Sequence, residues 1–497
     1  MRKPQILDTT LRDGEQTPGV TFNPDQKSQI ARELKRIGVP LIEAGSACNG
    51  PSEKEGIRRV CEEVGDHTMV ASFARIKDQD IDDVVESGAG RVSLVCPASD
   101  RHIAVKFGLN RDDQQFHAKA LAATLKSLEY ALGKGLIVEL LAEDASQADP
   151  DYLKWLSLAA QGTGAECFCV CDTLGCLMPS QTYALFEYLN DGLNRMLLSF
   201  HGHDDKGLAT ANTLEALRAG AGRLHATVNG LGERCGNCAL EEVTLCLEDD
   251  YKIKTIDLTQ IQELSRLVAG LSNVHLSKSK AVVGTFAFQH DAGIHHAALM
   301  KEIEMYEPYP PAIVGRQHSL SLGKLSGLGS IRIKLGEMGV SLEEEKIPLL
   351  LEMVRRMNEG GEIVSDADFL ILLDRAKGNG MHKKVTLEEI SVITGNRTTP
   401  AAVVHLRFNG DADLHFGAAT GDGPVDAAIS AVNNALGEHR ANLVEYHVEA
   451  ITGGSDAVVR LNVTVELNGK RLNSSAMGTD LFMVSVDAYL KAVNLLL

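Results

Sequence analysis

An alternation of short apolar strands with longer amphipathic helices, repeated eight times between residue 5 and about residue 245, predicts an α/β protein built on a (β/α)8 TIM barrel. Two further observations support that class. Polar and metal-ligating residues collect just after the expected strands, on the rim where a barrel of this kind carries its functional groups. The last hundred or so residues hold a strand–strand–strand–helix unit written twice, which predicts a separate α+β domain.

The expected barrel strands are 5–9, 40–44, 68–73, 91–96, 136–140, 167–172, 197–203 and 223–229, with helices such as 25–37, 115–134 and 208–219 between them. Strands joined through helices run parallel, so one rim receives all of their C-terminal ends. Asp13 follows the first strand, Glu43 ends the second, Glu143 follows the fifth, Thr173 follows the sixth, His201 and His203 end the seventh, and Asn237 follows the eighth. Alternate residues of a strand share a face, so His201 and His203 can point at one ion. A carboxylate from the segment Asp8-Thr9-Thr10-Leu11-Arg12-Asp13-Gly14-Glu15 and a carbonyl oxygen from 229–237 would complete a mixed nitrogen and oxygen site. Some rim polar residues are expected only to cap the next helix, namely Asp25 and Ser180.

From about 250 to 380 the chain reads as helical with glycine-rich interruptions, and Lys377-Gly378-Asn379-Gly380 reads as a hinge or linker. The repeat follows, as 387–395, 402–408, 414–420 and 424–436, then 443–453, 457–467, 470–478 and 481–495. Both copies carry Ile-Thr-Gly after their first strand, at Ile393 and Ile451, and neither carries an acid–base cluster. The expected organisation is a catalytic barrel over 1–265, helical linker subdomains over 266–383 and a regulatory, dimerising domain over 384–497.

At 497 residues the chain is too long for one core, and 23% charged with 44% hydrophobic residues is the profile of a globular protein. A formal charge of −18 argues against a nucleic-acid or anionic-membrane surface. The chain enters a strand directly after Met1-Arg2-Lys3-Pro4, so no signal peptide is expected, and no apolar run is long enough to span a bilayer. Ten cysteines without a disulfide framework suggest a reducing cytoplasm. Cys167, Cys169 and Cys171 share a strand face and are expected to pack. Cys235-x-x-Cys238 lacks a second cysteine pair at zinc-ribbon spacing, so it is read as structural.

The segment from Asp8 to Gln16, His201-Gly202-His203-Asp204-Asp205-Lys206-Gly207-Leu208-Ala209, and 229–237 with Glu241-Glu242 together resemble the acyl-CoA-dependent barrel metallolyases. These are the 2-isopropylmalate, homocitrate and citramalate synthases. The likeness runs on through Gly293-Ile294-His295 and Thr420-Gly421-Asp422-Gly423-Pro424-Val425-Asp426-Ala427, which is similar to a leucine-type allosteric domain. One departure is visible: the usual Gly-Lys-His-Ser-Gly is Gly323-Lys324-Leu325-Ser326-Gly327.

The resemblance implies a Claisen condensation of acetyl-CoA with a 2-oxo acid, followed by thioester hydrolysis. It implies Asp13, His201 and His203 as ligands of a divalent metal (Mn²⁺, Mg²⁺ or Zn²⁺), with Asn237 completing or approaching the shell. Arg12 would donate to the developing alkoxide, and Thr173 would hold the substrate carboxylate. Glu143 and His295 are the candidate bases, and His295 with Tyr306 would reach the barrel mouth of a partner subunit in an obligate homodimer. His290 and His296 are read as bystanders. An apolar amino acid would bind between the repeats near Gly421, Asp422, Gly423 and Asp426. The segment Glu43-Ala44-Gly45-Ser46-Ala47 is similar to citramalate synthases of methanogen type. Pyruvate is therefore the expected substrate, ahead of 2-oxoisovalerate and then 2-oxoglutarate. A distal carboxylate would need an extra cation, and no obvious extra Arg or Lys stands at a strand end, although Arg75 and Lys106 lie close. A lyase of the 3-hydroxy-3-methylglutaryl-CoA type would be expected to lack the duplicated domain. A non-catalytic amino-acid sensor would have no reason to retain Arg12, Asp13, His201 and His203 together.

Overall fold

The computed structural model describes residues 3–290, 307–317, 319–320, 322–359, 363–378, 384–410 and 412–497. Eight strands, β1 (Gln5–Asp8), β2 (Leu41–Glu43), β3 (Met69–Arg75), β4 (Arg91–Pro97), β5 (Ile137–Glu143), β6 (Cys167–Asp172), β7 (Leu197–Gly202) and β8 (Arg223–Ala226), form a closed barrel. All neighbours are parallel, and β1 closes on β8 with Gln5 opposite Arg223 and Asp8 opposite Ala226. The helices between them are α1 (Pro24–Arg36), α2 (Pro51–Val64), α3 (Asp78–Ser87), α4 (Asp100–Phe107), α5 (Phe116–Gly133), α6 (Pro150–Thr163), α7 (Pro179–Asn190), α8 (Ala209–Arg218), α9 (Leu240–Asp249) and α10 (Ile261–Ser272).

The expected caps at Asp25 and Ser180 are corrected. Asn23 caps α1, its side chain accepting from the Gln26 amide at 2.9 Å while Gln26 returns a bond to the Asn23 amide at 2.9 Å. Asp25 lies in the first turn and pairs with Arg59. At α7 the cap position is Met178, and Gln181 accepts from its amide, so Ser180 has no capping role. In both helices a proline opens the first turn, which moves the cap one residue ahead of it.

Each barrel strand sends alternate residues outward and inward. Outward residues such as Ile42, Val138, Phe168, Phe200 and Leu224 join the helices in the main core. The inward face is different at its two ends. At the N-terminal end, Arg223 donates to Glu139 at 2.7 Å, Glu166 at 2.7 Å and Gln5 at 2.9 Å. Glu139 also accepts from Ser199 at 2.5 Å and contacts His225 Nε2 at 3.0 Å. Higher up, Leu141, Cys169 and Cys171 form a small apolar cluster with Phe73 and Val95. The cysteines are free thiols, and Cys167, Cys169 and Cys171 are all buried, as their spacing predicts.

Compact units divide the chain as Met1–Phe288 with Tyr309–His318, and Gln289–Pro308 with Ser319–Leu497. In the second unit, helices Leu328–Glu337, Ile347–Glu359 and Asp366–Lys377 share one apolar cluster. The repeat appears as two antiparallel sheets, Val385–Gly395 with Thr398–Phe408 and His415–Thr420, and Asn442–Ala450 with Val459–Leu467 and Lys470–Gly478. Helices Pro424–Leu436 and Leu481–Leu496 follow them, and both repeats pour side chains into one core. Tyr489 ties the copies together, donating to Asn433 at 2.8 Å and to the Ala441 carbonyl at 2.7 Å. No described helix is long and apolar enough to cross a membrane.

Glu139→Gln would leave Arg223 and His225 buried without the carboxylate they share, at an expected cost of about 3–5 kcal/mol. Urea unfolding followed by the fluorescence of Trp155, the single tryptophan, reads the barrel directly. Unchanged unfolding would remove that network from the account of barrel stability.

Candidate metal centre and active site

The chain leaves β1 through a tight turn in which the amides of Arg12, Asp13 and Gly14 all point at the Thr9 carbonyl, at 3.1, 2.8 and 3.2 Å. Asp8 anchors that turn, accepting from the Thr10 amide at 3.0 Å and the Thr10 hydroxyl at 2.9 Å. Burial pushes the Asp8 carboxyl up to about 7; the Thr10 bonds oppose the shift, and the charges of Glu241 and Glu43 add to it. The turn thereby throws the Arg12 and Asp13 side chains over the barrel mouth.

Arg12 is held on three sides. Its Nε donates to Glu43 at the end of β2, its Nη1 lies 3.1 Å from Asp13 Oδ2, and its guanidinium carbon stands 4.8 Å from the centre of the Phe73 ring. Asp13 Oδ2 is also 3.0 Å from His201 Nε2. Burial opposes ionisation of Asp13, but Arg12 and His201 more than offset it, so its carboxyl sits well below the usual range. His203 is pushed down to about 4 by burial and by the neighbouring His201. It is therefore a neutral imidazole near pH 7, the form that ligates metals.

Asn237 arrives on the loop after β8. Its backbone bridges His203, and its Nδ2 donates to the Leu231 carbonyl at 3.1 Å. Gly236 makes this approach possible: its φ is +93°, and a Cβ there would meet the Gly230 carbonyl oxygen at 2.0 Å.

The fit to a metal can be judged from atoms left over. Asp13 Oδ1, Glu43 Oε1, His203 Nδ1 and Asn237 Oδ1 are buried and receive no hydrogen bond. Acceptors buried without donors are costly unless a cation satisfies them. Ligand atoms of Asp13, His201 and His203 lie within 4.8 Å of one another. Two imidazoles and a carboxylate, with an amide oxygen alongside, fit a divalent ion. A second such cluster among the described residues, Glu139 with Cys169 and His225, is already occupied by the Arg223 guanidinium and reads as core.

The remaining site residues fall as follows. Thr173 Oγ1 accepts from the Asp144 amide at 2.9 Å, which leaves its hydroxyl proton free to donate. Glu143 ends β5 and pairs with Lys106, with His102 Nδ1 at 3.5 Å. Arg75 is bound by Asp80 at 2.6 and 3.0 Å. A cavity of about 430 Å³ opens beside Arg12, lined also by Glu15, Gln16, Ser46, Phe73 and Arg75. His295 and Tyr306 lie outside the described residues, as does His296. In the second unit, Asp426 reaches back to the Asp422 amide at 3.0 Å, and the Gly421 amide donates to the Pro400 carbonyl at 3.0 Å. Gly423 precedes the helix that Pro424 opens. Leu325 is 65% exposed, so the departure at that position costs no core packing. Sequence reading placed Glu43 on the rim but missed its pairing with Arg12, for which no local pattern exists.

Fold and site together define a (β/α)8-barrel protein with a buried Asp-His-His candidate metal centre. The chain belongs to the HMGL-like family, which matches residues 3–268. Residues 282–362 match the homocitrate synthase post-HMGL domain-like family, and 363–497 match the LeuA allosteric (dimerisation) domain. The (R)-citramalate synthase CimA of Methanocaldococcus jannaschii is 41% identical over 495 residues, covering 99% of each chain. Relatives from Methanothermobacter thermautotrophicus, 40% identical over 99% of this chain and 98% of that one, and Archaeoglobus fulgidus, 40% identical over 99% of both, carry that name provisionally.

Calorimetric titration with Mn²⁺ is expected to show one ion per chain, and Asp13→Asn to weaken it by about tenfold or more. Equal affinity in the variant would take Asp13 out of the ligand set.

Proposed function

We propose that this chain condenses acetyl-CoA with pyruvate and hydrolyses the resulting thioester, yielding (R)-citramalate and free CoA for isoleucine synthesis. The observation that carries this is kinship along the whole chain with the M. jannaschii (R)-citramalate synthase, together with Arg12, Asp13, His201 and His203 gathered around one space. A divalent ion held by Asp13, His201 and His203, with Asn237 beside them, would polarise the keto group as a Lewis acid.

The chain's own groups supply the rest. Arg12 offers a permanently charged N–H to the keto oxygen as the new carbon–carbon bond forms and charge moves onto it. The Thr173 hydroxyl donates to the substrate carboxylate. A base takes one proton from the acetyl methyl group, and Glu143 and His295 are its candidates. Lys106 pairs with one carboxylate oxygen of Glu143, Oε2. Water then cleaves the thioester, releasing CoA as a thiol. Phe73, Val95, Leu141 and Cys171 offer an apolar wall suited to a small substituent such as the methyl of pyruvate. The nearby cations Arg75 and Lys106 are engaged by Asp80 and Glu143, which disfavours 2-oxoglutarate with its distal carboxylate.

The proposed assembly is a homodimer in which His295 and Tyr306 serve the partner's barrel. The proposed regulator is isoleucine, held near Gly421, Asp422, Gly423 and Asp426.

Thiol release from acetyl-CoA with Mn²⁺ or Mg²⁺ is expected to be fastest with pyruvate, and Arg12→Ala to lower kcat by about 10²–10³. A preference for 2-oxoisovalerate would move the reading to 2-isopropylmalate synthesis, and no release with pyruvate, 2-oxoisovalerate or 2-oxoglutarate would overturn it. Removing the residues after 384 is expected to leave measurable activity that isoleucine no longer inhibits. A truncated enzyme that isoleucine still inhibits would place the regulatory site elsewhere.

A further inference from the structure

A buried ammonium that the proposed chemistry does not use lies directly behind the active-site loops. Lys27 belongs to α1, and its side chain is 1% exposed. Its Nζ donates to the Leu11 carbonyl at 3.1 Å and the Ala44 carbonyl at 3.2 Å. It donates to both carboxylate oxygens of Glu53, at 2.9 and 3.0 Å, and pairs with Glu15 at 2.6 Å. The two carbonyls are not arbitrary. Leu11 immediately precedes Arg12, Ala44 immediately follows Glu43, and Arg12 and Glu43 are themselves ion-paired. One ammonium therefore grips the backbone on both sides of that pair.

The two carboxylates extend the grip. Glu53 also accepts from the Ser46 amide at 3.2 Å, and Glu15 from the Phe22 amide at 2.7 Å, so Lys27 gathers the walls of the cavity beside Arg12. The space around it is closed. A Cβ at Gly45 would come 3.0 Å from Nζ, and one at Gly56 would come 3.1 Å from Cδ. A compact point charge with three donors suits five converging oxygens in that room; a planar guanidinium does not.

We infer that Lys27 is a positioning residue, which sets where the Arg12 guanidinium stands by fixing the chain on both sides of the Arg12–Glu43 pair. This rests on the proposed function, because that reading assigns Arg12 to the keto oxygen. The alternative role, neutralising Glu15 and Glu53 and nothing more, predicts a less stable protein whose folded fraction turns over normally. Displacing a catalytic group by about 1 Å through a distant change can cost about a hundredfold in rate.

The test is Lys27→Met in the full chain, assayed for kcat, Mn²⁺ affinity and affinity for oxalate as a 2-oxo acid mimic. Folded variant is expected to lose about a hundredfold in kcat. Mn²⁺ affinity should hold within about twofold, and in an Arg12→Ala background the same change should add no further loss. A kcat within about twofold of the parent, or an equal additional loss in the Arg12→Ala background, would overturn the inference. Should Lys27→Met show no thermal transition, Glu53→Gln keeps the shape of the node while removing one charge. It is expected to lower kcat by about tenfold, and an unchanged kcat there counts against positioning. Should the parent release no thiol with any of the 2-oxo acids, the functional reading fails by itself. Oxalate affinity then decides the inference: weakened alike by Lys27→Met, Arg12→Ala and their combination upholds it, and unchanged in Lys27→Met sinks it.

Discussion

Arg12 is shared between two carboxylates, and its hold on Asp13 governs what the barrel mouth can bind. A carboxyl buried as deeply as Asp13 would ordinarily take up a proton, and a protonated acid is a poor ligand for a cation. The guanidinium at 3.1 Å, with His201 at 3.0 Å, reverses that and keeps the group ionised. His203, by contrast, is kept neutral by the same burial. One anionic oxygen donor and the His203 imidazole lone pair therefore coexist in one space, while Glu43 anchors the guanidinium from β2 and leaves its own Oε1 free. Arg12 therefore supports the charge of Asp13 through the ion pair between them.

The two ends of the barrel interior use opposite solutions to the same problem of buried polarity. At the N-terminal end Glu139 is matched by Arg223, His225 and Ser199, and Arg223 by Glu166 and Gln5 as well. Each charged group there meets an opposite charge, and His225 Nδ1 is the one nitrogen of that network left without a partner. At the C-terminal end, acceptors on Asp13, Glu43, His203 and Asn237 are left without donors. Unsatisfied groups of that kind persist only where something else completes them. The contrast also separates the two clusters that could hold a metal: each carboxylate stands beside an arginine, but only around Asp13 do several residues leave buried oxygen acceptors without donors.

Periodicity made the barrel legible because each strand and helix announces its own period, and the expected strands agree with the observed ones to within a few residues. The His-x-His step was legible for the same reason, since a strand's geometry puts His201 and His203 on one side. The pairing of Arg12 with Glu43, 31 residues away, was not, because closure of the barrel alone makes neighbours of β1 and β2. Lys27 was hidden more thoroughly. Within α1 it occupies an ordinary helical position, and only the packing of α1 against the loops shows that its charge points inward. The misplaced caps have a local cause: Pro24 and Pro179 take the first helical position and push the cap back to Asn23 and Met178.

Choice among 2-oxo acids follows from what surrounds Arg12 more than from Arg12 itself, since each of those acids offers the same keto and carboxylate oxygens. The inner wall between β3 and β6 is apolar, built from Phe73, Val95, Leu141 and Cys171. A substituent placed there gains by its size, and a methylene is worth only about 1–3 kcal/mol, so size alone separates pyruvate from 2-oxoisovalerate weakly. Charge separates more sharply. Beyond Arg12, Arg75 and Lys106 are paired with Asp80 and Glu143. A distal carboxylate placed against Phe73 would lose hydration and would have to share Arg75 or Lys106 with the carboxylate each already holds. On the proposed function, such a wall would disfavour a dicarboxylic oxo acid by desolvation while leaving the contest between methyl and isopropyl to packing.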